Sequence, residues 1–199
     1  MSDPRLSAKL FSDALNAKRK GNYAESLALY KKSIIVYPDD PDIMNTFYAI
    51  AKVLYLLEEY QLSAHSYSVY MSFMIVRAPE IVSDYEASST DPNLSIKLLR
   101  NFRNAAHNVG QTLVACKEKN LTLFKDEILW YKTELSGKSP YQNPNLVKIK
   151  ENYDKFNDEC IQIGFKELLY IIDEHSKNLK ESVNKYLNLA NKILNILPD

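Results

Sequence analysis

The chain has little glycine, little cysteine and no excess of charge of either sign. Only 4 glycines occur in 199 residues, and runs of β-branched residues are few, so the composition favours helices over a sheet. The 25 Lys and Arg residues balance 25 Asp and Glu residues, which gives a formal net charge of zero. A neutral chain lacks the basic surface of a dedicated nucleic-acid binder, and we expect no nucleic-acid partner.

The sequence also lacks the patterns that indicate cysteine chemistry or membrane insertion. Cys116 and Cys160 have no neighbouring Cys or His at the spacing of a redox motif or a zinc site. The N-terminus lacks the apolar core of a signal peptide. The most apolar stretch, residues 47–57, contains Lys52 and is too short to span a bilayer. We therefore expect a cytoplasmic protein with no membrane span and no cofactor, whose oligomeric state the sequence leaves open.

Proline marks both the beginnings and the ends of the predicted helices. Asp or Asn before a proline is a favourable helix start, because its side chain caps a backbone N–H and the proline needs no donor. Proline near a helix end prevents continuation of the helix. The starts fall at Asp3-Pro4, Asp40-Pro41, Asp91-Pro92 and Asn143-Pro144, and the ends at the segments VYPD, RAPE, GKSP and ILPD.

These marks divide the chain into four units, most of which contain an internal break. Each unit is predicted to be an antiparallel helix pair, and repetition of such pairs is typical of a solenoid. The last apolar stripe, in residues 179–197, has a polar face of mostly Asn and predicts a capping helix. The predicted organisation is two helix pairs in 1–80, a linker loop in 81–91, a third pair in 92–140, and a fourth pair with a C-terminal capping helix in 141–199.

Apolar and aromatic residues recur in the first two units at helix-pair spacing, together with a Gly and a Pro in the first. The residues are Leu10, Ala14, Gly21, Tyr23, Tyr30 and Pro38 in the first unit, and Phe47, Ile50, Ala51, Leu54, Tyr60 and Tyr67 in the second. At these positions the two units resemble the tetratricopeptide repeat (TPR), and the likeness weakens after about residue 80. The resemblance implies an all-α, right-handed α-solenoid of about four helix pairs, the first two TPR-like and the last two longer and divergent.

The same resemblance implies a function, because TPR arrays bind a peptide or helix of a partner in a concave groove lined by the first helix of each pair. The chain would then be a non-catalytic scaffold for protein–protein interaction, and the cations of the groove favour an acidic ligand. Amides can pair with a peptide backbone, and tyrosines add contact area with a polar tip. The implied groove residues are Phe11, Lys18, Arg19, Asn45, Tyr48, Lys52, Tyr55, Asn104, His107 and Gln111.

Alternatives remain open for the groove and for the function. Phe11 could serve only in packing, and the cations could form a solvated face. The first 75 or so residues also resemble the three-helix microtubule-interacting-and-trafficking (MIT) domain, which would make the chain a trafficking adaptor. Arg100, Arg103 and His107 have a spacing similar to that of all-helical HEPN ribonucleases, in which a cation holds phosphate and His moves a proton.

Overall fold

A computed structural model of the chain describes residues 3–40, 42–77, 92–119 and 159–199. Within these ranges the secondary structure is entirely helical, without a strand, so the predicted all-α class is confirmed. The seven helices in the described ranges are α1 (Pro4–Arg19), α2 (Tyr23–Val36), α3 (Ile43–Leu56), α4 (Tyr60–Arg77), α5 (Pro92–Glu118), α6 (Glu159–Lys177) and α7 (Leu179–Ile196).

Two of the predicted helix starts match the structure. Helix α1 begins at Pro4, and the carboxylate of Asp3 accepts a hydrogen bond from the backbone N–H of Leu6 at 3.0 Å. Helix α5 begins at Pro92. At α1 the cap and the proline therefore act together as expected from their chemistry. The predicted start at residues 143–144, like the predicted linker 81–91, lies outside the described residues.

The predicted start of α3 at Asp40-Pro41 is wrong by two residues. The helix begins at Ile43, and Asp42 occupies the N-cap position. The carboxylate of Asp40 is engaged in the preceding turn, where it accepts the backbone N–H of Asp42 at 2.8 Å. Because Asp40 caps the turn and not the helix, the helix begins one short turn later.

The α1–α2 hairpin is repeated in the α3–α4 hairpin, 37 residues later in the chain. The hydroxyl of Ser26 in α2 donates to the carbonyl oxygen of Ala14 in α1 at 2.9 Å. The hydroxyl of Ser63 in α4 donates to the carbonyl oxygen of Ala51 in α3 at 2.8 Å. The same side chain thus joins the same backbone position in both hairpins, and it satisfies a buried hydroxyl in each.

Aromatic packing follows the same 37-residue repeat. The rings of Phe11 and Tyr30 meet edge to face with centroids 5.3 Å apart, and those of Tyr48 and Tyr67 do so at 5.5 Å. Tyr30 and Tyr67 are both buried in the core. Edge-to-face contact is the arrangement that aromatic rings prefer, so the two hairpins share their packing as well as their hydrogen bonds.

Helices α5 and α6 approach each other very closely through two glycines. A Cβ atom at Gly110 of α5 would overlap the backbone carbonyl of Cys160, and one at Gly164 of α6 would overlap the carbonyl of Ala106. Gly164 lies inside α6 and does not break the helix. The two helices belong to different predicted units, and the rest of the third predicted unit, after residue 119, lies outside the described residues.

Helix α7 packs mainly against α4 and joins the end of the chain to its beginning. Its buried side includes Tyr186, Ile193 and the following Leu197. The ammonium of Lys31 in α2 donates to the carbonyl oxygen of Leu197 at 3.0 Å and pairs with the carboxylate of Asp199 at 2.6 Å. The helix predicted to cap the fourth pair thus packs mainly on the second hairpin and reaches the first. No helix in the described parts of the chain combines the length and apolar character of a membrane span.

Candidate functional site

Side chains from four helices line one pocket, with a volume of about 230 Å³. Four of its residues, on α1, α3 and α5, are among the predicted groove residues, and the others come from α3, α4 and α5. We call this site the lysine pocket. Its lining residues are Lys18, Lys52, Tyr55, Leu56, Tyr67, Asn108 and Gln111.

Helical spacing explains how these side chains converge. Lys52, Tyr55 and Leu56 stand three and four residues apart on α3, and Asn108 and Gln111 stand three apart on α5, so each set occupies one face of its helix. Lys18 lies in the last turn of α1. Three helices that are distant in sequence therefore present one short patch each to the same pocket.

Tyr48 is not among the residues that line the pocket, but it contacts two of them. The ammonium of Lys52 lies over the Tyr48 ring, 4.7 Å from its centroid. The hydroxyl of Tyr48 accepts a hydrogen bond of 2.6 Å from the amide nitrogen of Asn108. The quadrupole of an aromatic ring attracts a cation that lies over the face of the ring. Tyr48 thus fixes a side chain from α3 and another from α5.

The lysine pocket has a positive potential. Burial lowers the pKa of Lys18, and the nearby charges of Lys52 and Arg19 lower it further. Neither Lys18 nor Lys52 forms an ion pair within the residues that the structure describes. Burial, with Tyr48 and other tyrosines nearby, raises the pKa of Tyr67, so its hydroxyl stays neutral at physiological pH. The pocket therefore combines two cations with a neutral hydroxyl donor.

The other predicted groove residues have different positions. Phe11 packs its ring against Tyr30 in the core, as the packing alternative holds. Arg19 is exposed, and Asn45 is exposed with its amide donating to Asp42 at 3.4 Å. His107 is half-buried on α5 and is not among the described residues that line the pocket. The side chain of Asn104 lies outside the described residues.

Three pocket residues were not among those predicted for the groove: Leu56, Tyr67 and Asn108. Tyr67 belongs to α4, a second helix of its pair, so an assignment restricted to first helices omits it. Asn108 could have been found, because it lies three residues before Gln111 and shares its helix face. Leu56 follows the predicted Tyr55 directly, but only the structure shows that the last turn of α3 borders the pocket.

A second polar cluster joins α4, α6 and α7 inside the protein. The hydroxyl of Ser68 donates to the carboxyl of Glu167 at 3.3 Å, and Ser72 shares a 3.1 Å hydrogen bond with the imidazole of His175. Burial raises the pKa of Glu167 to about 8 and, with the charge of Lys185, lowers the pKa of His175. Glu167 is only 1% exposed, so its carboxyl lies inside the protein, away from solvent.

The described residues provide no group of three or more His, Cys, Asp or Glu side chains that could hold a metal ion. The side chains of Arg100 and Arg103, on which the resemblance to a ribonuclease rests, lie outside the described residues. Comparisons of the chain with protein-family models, with curated proteins and with solved structures find no match.

Proposed function

We propose that this protein is a non-catalytic, cytoplasmic scaffold that binds a peptide or helix of a partner protein in a TPR-like groove. The observation that carries the proposal is the lysine pocket, in which patches from α1, α3 and α5 converge. These three are the helices that line the groove in a TPR array. The ammonium groups of Lys18 and Lys52, which form no ion pair with any residue that the structure describes, favour an acidic ligand.

The 37-residue repeat supports the architectural part of the proposal. Ser26 and Ser63 make equivalent hydrogen bonds, and the Phe11–Tyr30 and Tyr48–Tyr67 ring pairs are equivalent as well. Repeated helix pairs stack into right-handed solenoids in this class of protein. We infer that α1–α4 form the first two pairs of such a solenoid, followed by longer and divergent pairs, and that α7 closes it by covering α4.

The pocket also offers what a peptide backbone needs. The Gln111 amide is exposed, and the Asn108 amide has a second N–H besides the one it donates to Tyr48. Amides can donate to and accept from a peptide group. Tyr55 and Leu56 supply apolar area at the rim. An extended segment with an acidic side chain beside an apolar one matches this combination.

A peptide-display selection tests the proposal and does not require an identified partner. The purified protein selects from a random dodecapeptide library, and we expect enrichment of acidic peptides whose binding weakens as salt rises. The variant Lys18→Ala/Lys52→Ala should lose this enrichment. The matched control Lys9→Ala/Lys180→Ala removes two exposed lysines and the same charge, and it should keep the enrichment. Equal enrichment by both variants would contradict the proposal.

The MIT-like alternative is tested by truncation after Tyr85. An MIT-like module of the first 75 or so residues would remain folded after this cut. In the scaffold, α4 contacts α5, α6 and α7, and removal of those helices exposes buried groups such as Val69 and Met71. We expect the truncated chain to lose its cooperative thermal transition and to aggregate, as measured by circular dichroism and light scattering.

A further inference from the structure

The lysine pocket contains several hydrogen-bond donors that nothing in the described part of the protein satisfies. Within the part of the chain that the structure describes, the side chains of Lys18, Lys52 and Gln111 make no hydrogen bond to another residue, and neither does the hydroxyl of Tyr67. Tyr67 is only 2% exposed. Its hydroxyl is nevertheless not among the buried side-chain atoms that lack a partner, so it is accessible from the pocket that the residue lines. Donors that converge without an acceptor indicate a ligand rich in acceptor oxygens.

We propose that the lysine pocket binds the phosphoryl group of a phosphorylated serine or threonine in the partner segment. This inference rests on the proposed function of the same site and specifies its ligand. A phosphoryl group brings three acceptor oxygens and close to two negative charges at neutral pH. The two ammonium groups match the charge, and the Tyr67 hydroxyl and the Gln111 amide match the remaining oxygens.

A carboxylate fits the pocket less well than a phosphoryl group. It carries one negative charge, so a carboxylate placed between Lys18 and Lys52 leaves one positive charge uncompensated. It also offers two acceptor oxygens, whereas a phosphoryl group offers three. A phosphoryl group relieves the mutual repulsion of both lysines at once. Glutamate is therefore expected to be a weak substitute for the phosphorylated residue.

The helix ends near the pocket do not cancel its positive charge. Lys18 lies at the end of α1 and Tyr55 at the end of α3, where helix dipoles contribute partial negative charge. The turn after each helix compensates this charge with its own N–H groups. The N–H of Asn22 donates to Ala17, and that of Glu59 donates to Leu54, both at 2.9 Å. Burial is the main cause that raises the pKa of Tyr55, and the nearby carboxylate of Glu118 contributes, so the two ammonium groups face one nearby acidic charge.

Three matched peptide arrays test this inference. The arrays carry the same degenerate flanking residues and differ only at a fixed central position, which is phosphoserine, glutamate or serine. We expect the wild-type protein to bind the phosphoserine array about tenfold more tightly than the glutamate array, since bonds to a doubly charged acceptor are stronger. Binding should strengthen between pH 5 and pH 7, where a phosphate monoester loses its second proton (pKa about 6).

Two variants separate the phosphoryl site from the rest of the groove. Lys18→Met/Lys52→Met should abolish the preference for phosphoserine, while Lys9→Met/Lys180→Met should keep it. Tyr67→Phe removes one hydroxyl and should lower the preference severalfold without unfolding the protein, as checked by thermal melting. Because Tyr67→Phe keeps its ring, a loss of binding there is not a loss of packing.

The outcomes distinguish this inference from the proposed function. Equal binding of the phosphoserine and glutamate arrays overturns the phosphoryl ligand and leaves the acidic-peptide scaffold intact. No binding to any array overturns both. Competition by single-stranded RNA that is stronger than competition by the phosphopeptide also overturns the inference, because the pocket would then serve a nucleic-acid backbone.

Discussion

Gly21 and Glu58 occupy the same backbone position in two successive hairpins, 37 residues apart, and both have a left-handed conformation. The φ angle of Gly21 is 81° and that of Glu58 is 62°. The turns around them are equivalent, since the N–H of Gly21 donates to Lys18 and that of Glu58 donates to Tyr55, both at 3.0 Å. Glycine adopts this conformation without steric cost, whereas glutamate does not.

Glu58→Gly is therefore expected to stabilise the protein. Relief of the left-handed strain is worth about 1–2 kcal/mol, and the added freedom of glycine in the unfolded chain offsets part of it, so we expect a net gain of about 0.5–1 kcal/mol. The reciprocal change Gly21→Ala should cost about 1 kcal/mol. Urea denaturation measures both. Lys20→Gly is the control, because Lys20 has a φ of −83°, and a gain there would contradict the explanation.

Gly110→Ala should destabilise the protein strongly, although alanine is the better helix former. In an ordinary helix interior this change stabilises by about 1 kcal/mol. Here the new methyl group would overlap the backbone carbonyl of Cys160, which cannot rotate away. We expect a loss of about 3 kcal/mol or more in the free energy of unfolding. The control is Ser12→Ala, at an exposed position of α1. If Gly110→Ala is neutral or stabilising, α5 and α6 lie further apart than the structure shows.

Glu167 should make the protein less stable as the pH rises. Burial raises its pKa in the folded protein from 4.5 to about 8, so the native state binds a proton that the unfolded chain releases. Native stability is then lost between pH 4.5 and about 8, by at most about 1.4 kcal/mol per pH unit from this group. Glu167→Gln cannot titrate and should flatten the decline. The midpoints of urea denaturation from pH 6 to 9, for the wild type and for Glu167→Gln, measure this decline.

The control for this pH dependence is Glu25→Gln, a change at an exposed carboxylate on α2. Its pH profile should match that of the wild type. Two charged groups act on Glu167 besides its burial, namely Lys185, which lowers its pKa, and Glu174, which raises it. Identical profiles for wild type and Glu167→Gln would mean that Glu167 is already ionised in the folded protein.

Local features of the fold were predictable from the sequence, and contacts between distant segments were not. Asp3 and Pro4 specify the start of α1 because a cap and a fixed φ act within a few residues. No local sequence pattern predicts the contact of Lys31 with Asp199. The sequence also does not show that Gly164 allows close packing of two helices, because this depends on which helix faces it.

The residues of the lysine pocket, too, could be predicted from the sequence only in part. The resemblance to a repeat family placed Lys18, Lys52, Tyr55 and Gln111 on first helices, and the structure brings these four together. Tyr67 was identified only as a TPR signature position of the second unit. Burial and ligand contact are not exclusive for a tyrosine, whose ring can pack while its hydroxyl borders a cavity. The sequence alone does not separate these two roles.

Tyr48 is expected to hold α3 and α5 together as well as to position Lys52. Its hydroxyl accepts the 2.6 Å hydrogen bond from Asn108, while its ring supports the Lys52 ammonium. Tyr48→Phe removes the hydrogen bond but keeps the ring, and Asn108→Ala removes the same bond from the other side. A double-mutant cycle between them should give a coupling energy of about 0.5–1.5 kcal/mol in urea denaturation.

The ring and the hydroxyl of Tyr48 can be separated by a third variant. Tyr48→Leu removes the aromatic face that attracts Lys52, whereas Tyr48→Phe retains it. In the phosphoserine array, Tyr48→Phe should therefore bind more tightly than Tyr48→Leu, even if both unfold at the same urea concentration. Additive effects of Tyr48→Phe and Asn108→Ala would show that the hydroxyl does not link α3 to α5. Equal binding by the two Tyr48 variants would show that the ring does not position Lys52.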